Sequence, residues 1–106
     1  MQAIVYTRNG DPDVLELVER DTPEPGPGEV RVRIARSGVN PTDWKSRRSR
    51  PVGEAGFQVP DQDGSGVVDA AGNGVDPAVL GQRVWLWEAA QGRPWGTAAE
   101  YSVVPQ

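Results

Sequence analysis

The sequence contains no cysteine and no histidine. Without cysteine there is no disulfide and no thiolate ligand, and without histidine the commonest metal ligand and general base is missing too. Zinc sites built on sulfur or imidazole, papain-like thiol chemistry and serine triads are therefore excluded. Long apolar runs are also lacking. None approaches the roughly 18 to 20 residues of a membrane-spanning helix, and Met1 leads into a strand-like segment without a basic start and an apolar signal core. A cytoplasmic protein that does not enter membranes is the expectation. Positive charge is in deficit, with 11 basic against 15 acidic side chains and a net charge of −4. Such a field repels a polyphosphate backbone, so nucleic acid is not an expected partner.

Glycine and proline are plentiful, at 13 and 10 of 106 residues. This punctuation suits short strands joined by turns and opposes long helices, and the length fits one domain with a modest core. The expected class is mainly β.

Ala3 to Tyr6 is a short β-branched and aromatic run, followed by the turn-like Asn9-Gly-Asp-Pro12 and a second apolar run from Val14 to Val18. Three prolines and two glycines between Thr22 and Gly28 make that stretch a loop. From Glu29 to Arg36, Val30, Val32 and Ile34 alternate with Arg31 and Arg33, the period of a half-buried strand. Asn40-Pro-Thr-Asp43 then supplies an N-cap residue, a proline at the first helical position and an acid in the first turn, predicting a short helix over about 41–48. Gly64 to Gly72 reads as a strand, Asn73-Gly74 as a hairpin turn, Gly81 to Trp87 as an alternating strand, and Ala98 to Val104 as a last strand with Tyr101 and Val103 on one face. Six or seven strands and one short helix favour a curled sheet or partly open barrel.

Six segments, in this order and spacing, carry a resemblance: Met1 to Tyr6, Pro25-Gly-Pro-Gly-Glu-Val30, Ser37-Gly-Val-Asn-Pro-Thr-Asp43, Pro60 to Val68, Gly81-Gln-Arg-Val84, and Gly96 to Pro105. Over nearly the whole chain the sequence resembles the GroES-like substrate-side domain of the medium-chain dehydrogenase/reductase superfamily, nearest its zinc-free quinone oxidoreductase branch. The resemblance implies a GroES-like fold across 1–106. Zinc-dependent relatives carry a metal-binding Cys where this chain has Asn40 and a His-Glu pair where it has Gln62 and Asp63. It therefore implies metal-free reduction of a quinone, an enone or a related carbonyl compound, with hydride passing directly from NADPH.

In that family the cofactor lies between this domain and a Rossmann domain with a glycine-rich phosphate turn. Gly64-Ser-Gly66 and Gly72-Asn-Gly74 are too short, and in the wrong context, to serve as that turn. The chain is thus expected to be inactive alone, not to bind NADPH tightly, and to require a Rossmann domain in cis or in trans beside a small-molecule substrate. A free-standing GroES-like module that docks onto a partner chain is the alternative. Since the family commonly dimerises through its nucleotide domain, a monomer or a dimer through strand edges is expected.

The resemblance places Asn40, Trp44, Lys45 and Gln62 at the substrate pocket and Asn40 also at the nicotinamide ribose, and it assigns no catalytic residue. Each has a local reading beside it. Asn40 explains a helix start by itself. Asp43 either fixes that start or pairs with Arg47 four residues on. Lys45 falls near a position where many quinone reductases carry a pocket Tyr, and is either a cation for developing enolate charge or a solvated helix lysine. The basic run Lys45, Arg47, Arg48 and Arg50 is either a phosphate site or a solvated face. Gln62 stands where a zinc enzyme of the family carries its His and is expected to touch the substrate, whereas Asp63 is expected to order its loop through backbone amides. Of the four tryptophans, most are expected in the core or the cleft wall, with Trp44 beside the pocket.

Overall fold

The computed structural model describes all 106 residues. In chain order the elements are β1 (Gln2–Val5), β2 (Glu16–Glu19), β3 (Glu29–Gly38), α1 (Pro41–Ser49), β4 (Asp63–Ala71), β5 (Arg83–Leu86) and β6 (Tyr101–Pro105). Two single 3₁₀ turns, Pro12–Val14 and Pro77–Val79, complete the list, each opened by a proline that needs no amide partner. The chain is mainly β, with six strands and one α-helix, as its composition implies.

The strands form two antiparallel sheets and no closed barrel. One pairs β1 with β2, and the other runs in the order β5-β4-β3-β6. β3 is the long central strand. Val30 and Val32 are buried along it as the alternation predicts, and they join Val68, Val75, Leu86, Ala89 and Val104 in the larger core. A smaller core of Ala3, Val5 and Val59 lies under the two-stranded sheet, with Phe57 and Trp95 packed against it. Register shifts at Arg31/Val32 and Ile34/Arg36 bend β3 where it pairs with β4.

Two segments outside the strands join the sheets. Tyr6 exchanges backbone hydrogen bonds with Gln58, and Val59 bridges Trp95. The stretch expected to begin the last strand at Ala98 instead pairs first with β1, through Ile4 N to Ala98 O at 2.9 Å and Glu100 N to Gln2 O at 3.1 Å. It enters the larger sheet only at Tyr101, where the carbonyl of Glu100 has already accepted Ile34 N at 2.8 Å. The composition of 98–104 is uniformly strand-like, so the change of partner leaves no mark in it.

Asn73-Gly74 lies at a turn, with Gly74 at φ +85°, but it does not close a two-residue hairpin. The connection continues through the 3₁₀ turn at Pro77–Val79 before β5 begins. The tryptophans also differ from expectation. Trp85 and Trp87 are 77% and 69% exposed and Trp44 is 42% exposed, leaving Trp95 alone packed against a core. Trp85 points outward between Val84 and Leu86 on the edge strand β5, and Trp87 follows just past the strand's end.

Candidate functional site

The bend at the end of β3 delivers Ser37 and Asn40 to one place. Asn40 occupies the N-cap position of α1 in extended backbone, and Pro41 follows at the first helical position. Asp43 closes the start from inside the helix, its Oδ2 accepting Asn40 N–H at 2.6 Å. Asp43 is 6% exposed, so it fixes the helix start and does not form the solvent-facing pair with Arg47. Arg47 donates instead to Gly10 O at 3.2 Å.

The Asn40 side chain turns across to β4, where Nδ2 donates to Asp63 Oδ2 at 2.7 Å. Asp63 thus orders the site through a side-chain amide, not through backbone amides as expected. Its own carbonyl accepts Thr97 Oγ1 at 2.7 Å, Thr97 Oγ1 lies 2.8 Å from Ser37 Oγ, and Ser37 Oγ donates to Asp61 Oδ2 at 2.8 Å. These bonds tie β3, the 61–63 segment and the buried Thr97 into one network. Gly96 must be glycine for this approach, because a Cβ there would lie 2.1 Å from Pro60 O.

Beside the network lies an open cleft of about 560 Å³. Asn40, Lys45 and Arg50 line it from α1 and its ends, Gln62 and Asp63 from the approach to β4, and Trp87 from beyond β5. Gln62 is anchored there, its Oε1 accepting Ala90 N at 3.0 Å and its carbonyl accepting Ala89 N at 2.8 Å. Three of the four residues placed at the pocket, Asn40, Lys45 and Gln62, therefore meet in one cleft. Trp44 does not line it. Its ring sits on the solvent side of α1 with Lys45 Nζ 5.7 Å and Arg48 Cζ 5.9 Å from the ring centroid, one residue out of phase with the cleft-facing Lys45. The aromatic wall is Trp87, one of the tryptophans expected in the core or the cleft wall, while Trp44, the one expected beside the pocket, is not there.

Behind the cleft is a second cavity of about 40 Å³, large enough for water, lined by Tyr6, Asp43, Gln58 and Asp61 and reaching the cleft residues Ser46, Arg50 and Gln62. Burial raises the Asp43 carboxyl pKa above its usual range, opposed by backbone amides of Asn40 and Gln62 and assisted by the charge of Asp63. Burial likewise raises Asp61, opposed by the Ser37 hydroxyl and assisted by Asp43, and raises the phenol of Tyr6 against the pull of Arg47 and Arg50. Asp61 also holds a left-handed backbone at φ 77°, uncommon for a residue with a Cβ. Neither Asp61 nor Thr97 is marked by local pattern, since their partners are distant in sequence.

The basic run does not converge. Arg47 is spent on Gly10, Arg48 lies over Trp44, and only Lys45 and Arg50 face the cleft. Nor do the short glycine runs form a phosphate cradle. Gly64 and Gly66 lie within β4, where a Cβ would meet Arg36 O at 2.8 Å and Arg33 O at 2.0 Å, so they serve strand pairing. The donor set at the zinc-equivalent positions suits that metal poorly: Asn40 and Asp63 are bonded to each other, Gln62 Oε1 is occupied, and no three His, Cys, Asp or Glu side chains are grouped as metal ligands.

Residues 26–106 match the family model for the alcohol dehydrogenase GroES-like domain. A chloroplastic quinone-oxidoreductase homolog of Spinacia oleracea is 33% identical over 111 residues, covering 100% of this chain and 33% of its own length. The NADPH-complexed structure of mycobacterial Rv1454c superposes with a TM-score of 0.82 at 32% identity, over 99% of this chain and 31% of that one. A structure described as a putative zinc-dependent alcohol dehydrogenase from Rhizobium etli CFN 42 gives 0.87 at 31% identity, again over 99% and 31%. The chain thus spans about a third of each relative, and a quinone-oxidoreductase homolog and a putative zinc-dependent alcohol dehydrogenase both stand among them. The likeness does not select the zinc-free branch; it shows that the chain belongs to the alcohol dehydrogenase GroES-like domain family of the medium-chain dehydrogenase/reductases.

Proposed function

We propose that residues 1–106 are the substrate-side domain of an NADPH-dependent, metal-free oxidoreductase that reduces quinones, enones or related carbonyl compounds in the cytoplasm. The observation that carries this reading is the Asn40–Asp63 hydrogen bond beside Gln62, which fills with amides and a paired carboxylate the place where a zinc enzyme of the family holds its metal. The quinone-oxidoreductase relative and the NADPH-complexed relative support the reaction class.

NADPH, when bound across the cleft by a nucleotide domain, supplies the hydride. This chain's residues form the opposing wall. Gln62, with Oε1 held by Ala90 N, keeps its amide N–H groups for a substrate carbonyl. Lys45 and Arg50 offer positive charge where an oxygen gains negative charge. Asn40 fixes the position of Asp63 and stands at the cleft where the nicotinamide ribose would lie.

Calorimetric titration of the 106-residue chain with NADPH is expected to show no micromolar binding, because it supplies no pyrophosphate cradle; a micromolar isotherm would contradict this. In a complete form that carries a nucleotide domain, turnover of an enone is expected to survive chelation. Loss on chelation with recovery on zinc alone would refute the metal-free reading. A binding module that docks onto a separate nucleotide-binding chain is the second reading, favoured by the exposed Trp85 on the edge strand β5 and the exposed Trp87 just after it.

A further inference from the structure

We propose that the cleft between α1 and Trp87 selects a small monocarboxylate, so that the acceptor is an unsaturated or oxo acid and not an apolar quinone. This rests on the reading of the cleft as the substrate wall and narrows it. Of the twelve residues around the cleft, Trp87 is the one hydrophobic side chain. Small-molecule sites are ordinarily lined mostly by apolar groups, and an apolar ring here would strip water from polar groups without replacing their hydrogen bonds.

The side of the cleft formed by α1 and its C-cap carries two positive charges. Lys45 and Arg50 line the cleft, and neither forms an ion pair within the chain. Gln62, its Oε1 held by Ala90 N, presents its amide N–H groups. A ligand that satisfies this wall is rich in acceptors and carries negative charge. The two cleft acids set a limit on that charge. Asp63 already accepts the Asn40 amide, and Glu88 stands beside Trp87 on the segment after β5. Lys45 and Arg50 are cancelled by Asp63 and Glu88, so the cleft is neutral as a whole and any anionic charge brought in is in excess: a carboxylate set against Lys45 and Arg50 adds one such charge, a phosphate dianion two. The uncharged end of the ligand then lies toward Trp87.

The test is a ¹⁵N–¹H NMR titration of the 106-residue chain with sodium crotonate, 2-cyclohexenone and inorganic phosphate at constant ionic strength. Crotonate is expected to give saturable shifts at Lys45, Ser46, Arg50 and Gln62, and the double variant Lys45→Met/Arg50→Met to bind it at least about fivefold more weakly, the loss expected of charge-assisted contacts. Both side chains are polar and face the cleft, and near-UV circular dichroism checks that the variant keeps its fold. Unchanged crotonate affinity in the double variant overturns the proposal, as does tighter saturation by phosphate. Cyclohexenone binding at the same amides more tightly than crotonate overturns the carboxylate and leaves the substrate-wall reading standing. No shift at these amides with any of the three ligands overturns both.

Discussion

Asp61 combines three costs at a single residue: a left-handed backbone at φ 77°, a partly buried carboxyl, and the nearby charge of Asp43. Its return is structural, since the carboxylate accepts Ser37 Oγ and the carbonyl accepts Thr97 N at 2.9 Å. Because burial raises its pKa above the unfolded value, the native state binds the extra proton between the two values. Stability therefore falls as pH rises through that window, and the charge cost is fully felt above the folded pKa. Asparagine stays neutral throughout. The stability of Asp61→Asn relative to the natural chain is expected to be most favourable at pH 7 and to worsen as pH drops toward about 4, near the ordinary carboxyl range. Urea denaturation of both proteins at the two pH values measures it; a gap that does not move with pH would remove burial of this carboxyl as a determinant. Nothing near Asp61 in the sequence announces the left-handed backbone, since glycine is the usual occupant of such positions.

Among the elements, β3 and α1 were the most legible. The alternation of Val30 and Val32 marked the buried face, and Asn40-Pro-Thr-Asp43 marked the helix start, because strand periodicity and capping both act over a few residues. What the pattern missed was the helix's orientation. Lys45 and Arg50 reach the cleft while Trp44 turns outward, which depends on where β4 and the segment beyond β5 stand. The pairing of β3 with β4 sets a sharp prediction. Gly66 lies opposite Ile34 beside a register shift, and a Cβ there would sit 2.0 Å from Arg33 O. Gly66→Ala is expected to lower stability by at least about 2 kcal/mol, since backbone, unlike a side-chain tip, cannot yield cheaply. A denaturation midpoint within error of the natural chain would show that the strands separate freely there.

At the scale of the whole molecule, the two sheets and the cleft are held in relation by the segment from Trp95 to Tyr101. Thr97 is its pivot, 1% exposed, bonded to Asp63 O and placed against Ser37 Oγ across 60 residues of sequence. Thr97→Val keeps the shape but leaves the Asp63 carbonyl without its hydroxyl donor. The expected cost is about 1 to 3 kcal/mol, with amide shifts that reach Ser37 and Asn40 as well as the mutated loop. Loss of stability with shifts confined to the 95–99 loop would separate Thr97 from the site.

The sequence by itself determined which chemistry is unavailable and which elements form, for absent cysteine and histidine are facts of composition and short-range periodicity is a local property of the chain. Tertiary structure alone decided the site: that Asn40 meets Asp63, that Ser37, Thr97 and Asp61 share a network, and that Trp87 and not Trp44 faces the cleft. Those pairings depend on strand register and on a segment shared between two sheets. Partners separated by 23 to 60 residues are brought together by packing, which no local pattern encodes.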